Sequence, residues 1–152
     1  MKLKTIAVFL LVLNSFAASA NMEDVQQAFK DKNYQQAFEL IQPYAEAGDV
    51  TAQYNLAMMY AEGDGTDVND KKAVDWYIKA ARSGHIKAQN NLGLRYHNGK
   101  GVAVDEYMSL YWFIEASKQG HLPSVLNIAS THSELVKEML KAEASKQLEN
   151  NK

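Results

Sequence analysis

Residues 52–65 read Ala52-Gln53-Tyr54-Asn55-Leu56-Ala57-Met58-Met59-Tyr60-Ala61-Glu62-Gly63-Asp64-Gly65. Residues 88–101 read Ala88-Gln89-Asn90-Asn91-Leu92-Gly93-Leu94-Arg95-Tyr96-His97-Asn98-Gly99-Lys100-Gly101. The second stretch returns the first 36 residues later, with alanine, glutamine, asparagine, leucine, tyrosine and both glycines in register. The match runs without a gap from 48–83 onto 84–119: Gly48, Val68, Trp76, Ile78 and Ala80 come back as Gly84, Val104, Trp112, Ile114 and Ala116. A fixed period of this length marks a stacked repeat architecture, in which one unit cannot bury its apolar face alone.

Each unit carries two helical stripes. Ala52, Leu56, Ala57 and Tyr60 fall at helical spacing, and so do Ala73, Trp76, Tyr77, Ala80 and Ala81. Glycines punctuate the stripes. Gly48, Gly84 and Gly120 follow the second helices, and Gly63 and Gly99 follow the first, where a left-handed residue closes the last turn without a Cβ clash. The expected fold is all-α: an α-solenoid of stacked helical hairpins. Leu56, Tyr60, Gly63, Gly65, Trp76 and Gly84, with their counterparts Leu92, Tyr96, Gly99, Gly101, Trp112 and Gly120, form its structural frame.

The pattern Leu56-Ala57-Met58-Met59-Tyr60, Gly63-Asp64-Gly65, Ala73, Trp76-Tyr77, Ala80-Ala81, Gly84 resembles the Sel1-like repeat, a relative of the tetratricopeptide repeats. The second copy, Leu92-Gly93-Leu94-Arg95-Tyr96, Gly99-Lys100-Gly101-Val102, Asp105, Trp112-Phe113, Ala116, Gly120, resembles it too. Ala57, Ser109 and Ser117 depart from the pattern but remain small, as close helix approach requires. The resemblance implies a right-handed superhelix with the first helices on its concave surface. It also implies a protein-binding role in envelope or surface-polymer regulation, or as an antidote to a secreted antibacterial toxin.

Residues 1–20 read as a secretory signal: Lys2 and Lys4, an apolar run from Ile6 to Leu13, then Ala18-Ser19-Ala20 before the cut. The run is too short to span a bilayer, and with no cysteine in the chain there is neither a lipid-modified cysteine nor a disulfide. The mature chain is then expected in the periplasm or outside the cell, with no integral membrane segment. It keeps fourteen basic residues against eighteen acids, a balance that disfavours nucleic acid as partner. A tetratricopeptide-like hairpin is expected over 21–48, with its turn at Phe29–Ala37, followed by repeats over 49–84 and 85–120. Residues 121–152 then hold a partial repeat and a C-terminal capping helix. In that last segment Ser124, Ile128, Ala129 and His132 continue the first-helix register. Thr131-His132-Ser133-Glu134 has capping-box spacing ahead of Leu135, Val136, Met139 and Leu140.

Catalytic chemistry finds little support. No cysteine is present, the four histidines are scattered, and neither Ser-x-x-Lys nor Gly-x-Ser-x-Gly occurs. His85 and His121 share a repeat position, which favours a structural or solvent-facing role. Gly63-Asp64-Gly65-Thr66-Asp67-Val68-Asn69-Asp70 is acidic enough to suggest a calcium loop. Counted from Asp64, however, its fifth position is Val68 and its sixth is Asn69 where glycine is needed. The copy at Gly99–Glu106 keeps the glycines and loses the acids at positions 64 and 67. A helix-to-helix connector is the better reading, with Gly63 and Gly65 turning the chain, Val68 tucked inward, and Asn69 or Asp70 capping the next helix. No metal or cofactor is expected. Positions that vary while the frame repeats point to a partner-binding lining: Tyr54, Met58 and Glu62 on one first helix, Asn90, Leu94, His97 and Asn98 on the next. The alternative is a cell-wall or β-lactam hydrolase, since cysteine-rich members of the resembling family are associated with penicillin binding. Ser133, His97 and His132 would be its candidate residues.

Overall fold

The computed structural model describes residues 21–131 and 133. Among the described residues seven helices follow one another: α1 (Met22–Lys30), α2 (Tyr34–Glu46), α3 (Val50–Glu62), α4 (Asp70–Arg82), α5 (Ile86–Asn98), α6 (Glu106–Lys118) and α7 (Leu122–Thr131). No strand occurs among the described residues. Each helix packs on its chain neighbours, giving antiparallel hairpins α1–α2, α3–α4 and α5–α6 stacked in sequence, with α7 laid against α6 and touching α5. The expected signal segment and the C-terminal capping helix, with His132, lie outside the described residues.

The helix ends explain why the punctuation repeats. Gly48, Gly84 and Gly120 take φ of +97°, +86° and +83°. Behind each, two backbone bonds close the turn: Gly48 N–H to Ala45 O and Asp49 N–H to Tyr44 O, then Gly84 to Ala81 and His85 to Ala80, then Gly120 to Ser117 and His121 to Ala116. This is the Schellman arrangement, in which a left-handed residue satisfies carbonyls that the helix leaves over. The residue after the glycine then starts the next helix. Asp49 accepts the Ala52 N–H at 2.7 Å, and His85 Nδ1 accepts the Ala88 N–H at 3.2 Å. The paired histidines are therefore structural: His85 is an N-cap, and His121 lies 2.8 Å from the Ser124 hydroxyl at the start of α7.

The first hairpin uses a shorter link, with Lys32 at φ +57° and Asn33 capping α2. In the longer connectors Gly63 and Gly99 are left-handed C-caps, and Asn69 and Asp105 are the N-caps of α4 and α6. Asp70 is the first residue of α4 rather than its cap. Val68 does not tuck inward. It is 62 % exposed, and its counterpart Val104 is 60 % exposed. One Val68 methyl instead rests over Gly63, 2.9 Å from where a Cβ would stand, so the valine covers the glycine and leaves the core to the helices.

Small residues set the helix spacing. Ala37, Ala52, Ala57, Ala73, Ala80, Ala88 and Ala116 are buried, and Ile41, Leu56, Met59, Leu92 and Phe113 fill the space between them. Each of the large side chains contributes about 1.5–3 kcal/mol by leaving water. Gly93 is bare because the Phe113 ring of the partner helix would lie 2.7 Å from its Cβ. The two repeat tryptophans are not equivalent. Trp112 is in the core, whereas Trp76 is half-buried with the Lys79 ammonium 3.6 Å above its ring. The recurring glutamines serve the backbone: Gln53 and Gln89 donate to Ala45 O and Ala81 O, at the end of the preceding helix.

Candidate functional site

On α3, the core-facing residues Ala52, Gln53, Leu56, Ala57, Met59 and Tyr60 leave Thr51, Tyr54, Asn55, Met58 and Glu62 on the opposite side. The same division of α5 leaves Lys87, Asn90, Asn91, Leu94 and Asn98. The face these two first helices share carries two separate hollows, together called the groove. Its polar end, about 260 Å³, is lined by Glu62, Tyr77, Asn91, Leu94, Arg95, Asn98 and Lys100. At the other end Thr51, Tyr54, Asn55, His85, Ile86 and Lys87 line an open hollow of about 420 Å³.

The predicted lining residues divide. Glu62, Leu94 and Asn98 meet at the polar end, and Tyr54 lies in the hollow. Met58 is 38 % exposed one turn before Glu62 on the same face of α3. Two others face elsewhere. The Asn90 side-chain oxygen accepts hydrogen bonds from the Ser124 hydroxyl at 2.9 Å and from Asn127 Nδ2 at 3.0 Å, which ties α5 to α7. His97 Nδ1 lies 3.0 and 3.1 Å from the two carboxylate oxygens of Glu106, which joins α5 to α6.

Residues outside that prediction organise the centre. Asn91 Nδ2 donates to the Tyr77 hydroxyl at 3.3 Å, and the Tyr54 and Tyr77 rings stand 6.1 Å apart. Burial raises the pKa of both phenols, and hydrogen bonding to Asn91 offsets part of the rise in each. The Arg95 guanidinium sits 5.5 Å from the Tyr77 ring centre and pairs with the Asp70 carboxylate at the head of α4. These phenols stay neutral at physiological pH, and the guanidinium is committed to a structural partner. The polar end of the groove therefore offers amides, the Tyr77 hydroxyl, the Leu94 side chain and charges at Glu62 and Lys100 beside the paired Arg95. Such groups hydrogen-bond and pack; they include no nucleophile beside a base. Among the described residues, no group of three or more histidines, aspartates or glutamates is placed to hold a metal ion.

Asn91 escaped the sequence reading because it repeats. Asn55 and Asn91 recur in step with the frame, so a rule that gives recurring residues to the core and varying ones to the surface passes over them. Their polarity on an otherwise apolar register was the available signal.

Residues 25–49, 50–85 and 86–121 each match the Sel1 repeat. The chain belongs to the Sel1 repeat family. Sel1 repeats are protein-interaction modules. Among solved structures, the chain is similar to a Sel1 repeat protein from Oxalobacter formigenes at 30 % identity and a TM-score of 0.69, covering 75 % of this chain and 47 % of that one. It is also similar to c5321, a protective antigen of uropathogenic Escherichia coli with an SLR fold, at 34 % identity and a TM-score of 0.65, covering 66 % of this chain and 22 % of that one. Cysteine-rich protein B of Helicobacter pylori shares the fold at 19 % identity and a TM-score of 0.59, over 70 % of this chain and 96 % of that one. This chain thus spans less than half of the first two relatives. No curated protein matches it. The Helicobacter relative is named for its cysteines, whereas this Sel1 chain has none and is held by packing, caps and glycine contacts.

Proposed function

We propose that this Sel1 repeat protein is a non-enzymatic adaptor of the bacterial envelope, exported to the periplasm, whose first-helix groove binds a segment of another protein. The observation that carries the reading is the groove itself: Tyr54 in one hollow and Glu62, Asn91, Leu94 and Asn98 in the other, from two successive repeats, give one face mixed polar and apolar character. A face that crosses repeats suits an extended or helical polypeptide segment, which can contact several units in turn. The signal-like residues 1–20 support export, and among the described residues no helix is long and apolar enough to cross a membrane. In that compartment the partner is an envelope regulator or a secreted antibacterial toxin that the protein neutralises.

Affinity capture from a periplasmic fraction tests the reading. Wild-type protein is expected to retain a defined partner that a folded Leu94→Asp, Met58→Asp variant releases. Equal retention by both would overturn the assignment of the groove. Turnover of a reporter β-lactam or muropeptide by the purified protein would overturn the non-enzymatic role.

A further inference from the structure

The hollow at the start of α5 has a chemistry of its own. Its inner wall is aromatic and aliphatic: the Tyr54 and His85 rings are stacked with centres 4.3 Å apart and planes 20° from parallel, and Ile86 lies beside them. His85 is fixed as the neutral ring, because its Nδ1 accepts the Ala88 N–H and its proton must therefore sit on Nε2. Burial and the neighbouring Lys87 both lower its pKa, which keeps the ring uncharged. Thr51 and Asn55 supply a hydroxyl and an amide, and Lys87 is the one charged residue of the lining.

The geometry points to this hollow as the seat of an aromatic side chain carried on an acidic stretch of the partner polypeptide. The hollow is open to solvent and, at about 420 Å³, has room for one aromatic side chain. A flat ring stacks or abuts edge-on against the Tyr54–His85 pair more favourably than an aliphatic chain of equal area. The Lys87 ammonium, with no carboxylate in the lining, attracts an aspartate or glutamate next to that ring and repels a basic neighbour. The Tyr54 ring also approaches Tyr77, which lines the amide-rich hollow, so that second hollow is within reach of a segment seated at Tyr54. This assignment rests on the adaptor reading and gives the partner segment its chemistry.

Three short synthetic peptides test it against the full mature protein labelled with nitrogen-15: tryptophan flanked by aspartates, tryptophan flanked by lysines, and alanine flanked by aspartates. The acidic tryptophan peptide is expected to shift the amide signals of Thr51, Tyr54, Asn55, Ile86 and Lys87, and to bind about tenfold more tightly than either control, a difference near 1.4 kcal/mol. Lys87→Glu, with amide signals remote from the hollow unchanged, is expected to reverse the preference between the acidic and basic peptides. Equal binding of all three, shifts gathered away from the hollow, or no binding at millimolar peptide would overturn it. The two readings fail separately. Loss of the peptide preference while Leu94→Asp, Met58→Asp still releases the natural partner removes the hollow and leaves the adaptor. Partner retention by every groove variant removes both.

Discussion

Gly101 lies directly against the backbone carbonyl of Asp70, in the first turn of the preceding repeat's second helix, where a Cβ would overlap the carbonyl. Gly65 stands in the same relation to Tyr34, one repeat earlier. The second glycine of each Gly-x-Gly connector thus fits against the first turn of the second helix in the unit before it. Arg95 reinforces the later joint by pairing with Asp70. The connector that the acidic residues made look like a metal loop is a joint between repeats.

Gly101→Ala and Gly84→Ala separate the joint from simple backbone strain. Both residues have positive φ, +76° and +86°, and alanine there costs about 1–2 kcal/mol. Nothing lies within 4 Å of a Cβ at Gly84, whereas at Gly101 it meets Asp70. Urea unfolding is expected to show Gly84→Ala losing the strain term alone and Gly101→Ala losing at least about 1 kcal/mol more. Equal losses would show that the joint adds nothing.

A buried acceptor without a partner gives a stabilising substitution. Gln89 Oε1 accepts from Gln119 Nε2 at 2.8 Å, but the matching Gln53 Oε1 is buried with no hydrogen-bond partner, and Ser83 occupies the position equivalent to Gln119. Ser83→Gln should supply the donor and raise stability by about 1 kcal/mol in denaturant unfolding. No gain in the wild-type background, or an equal gain in Gln53→Leu, would show that the new side chain does not reach that oxygen.

The His85 cap makes stability depend on pH. As acceptor from Ala88 N–H the ring must be neutral, and burial followed by Lys87 lowers its pKa in the folded protein. An unfolded histidine titrates near 6.5, so the unfolded chain takes up the proton first as pH falls. The cap's contribution is therefore whole above the unfolded value and is lost as pH drops through the folded one. His85→Asp, which copies Asp49, should keep the cap and flatten this part of the pH profile. His85→Ala should cost about 1 kcal/mol at neutral pH. An unchanged profile in His85→Asp would contradict the assignment.

The repeat period, the hairpins and the capping glycines were legible in the sequence because each is a backbone requirement that recurs. Gly84 and Gly120 must be left-handed wherever a hairpin ends, and a recurring requirement leaves a recurring residue. The groove was legible only in part. Tyr54, Glu62, Leu94 and Asn98 line it, but Asn90 and His97 are taken up by neighbouring helices, since a position that varies between units can serve a joint specific to one unit. Asn91, Arg95 and Lys100 were missed for different reasons. Asn91 repeats with the frame, and Arg95 and Lys100 enter the groove through side chains whose direction depends on α4 and on the connector. Val68 shows the converse error: an apolar residue that recurs need not be core when its task is to cover a glycine.

Site-specific photo-crosslinking measures the central claim most directly. A benzophenone amino acid placed at Met58 or Leu94, on the groove side of α3 and α5, is compared in cells with one at Asp75, exposed on α4. The adaptor account predicts a discrete adduct with one protein from positions 58 and 94, and none from position 75. Adducts of equal yield from all three positions, or from position 75 alone, would contradict it.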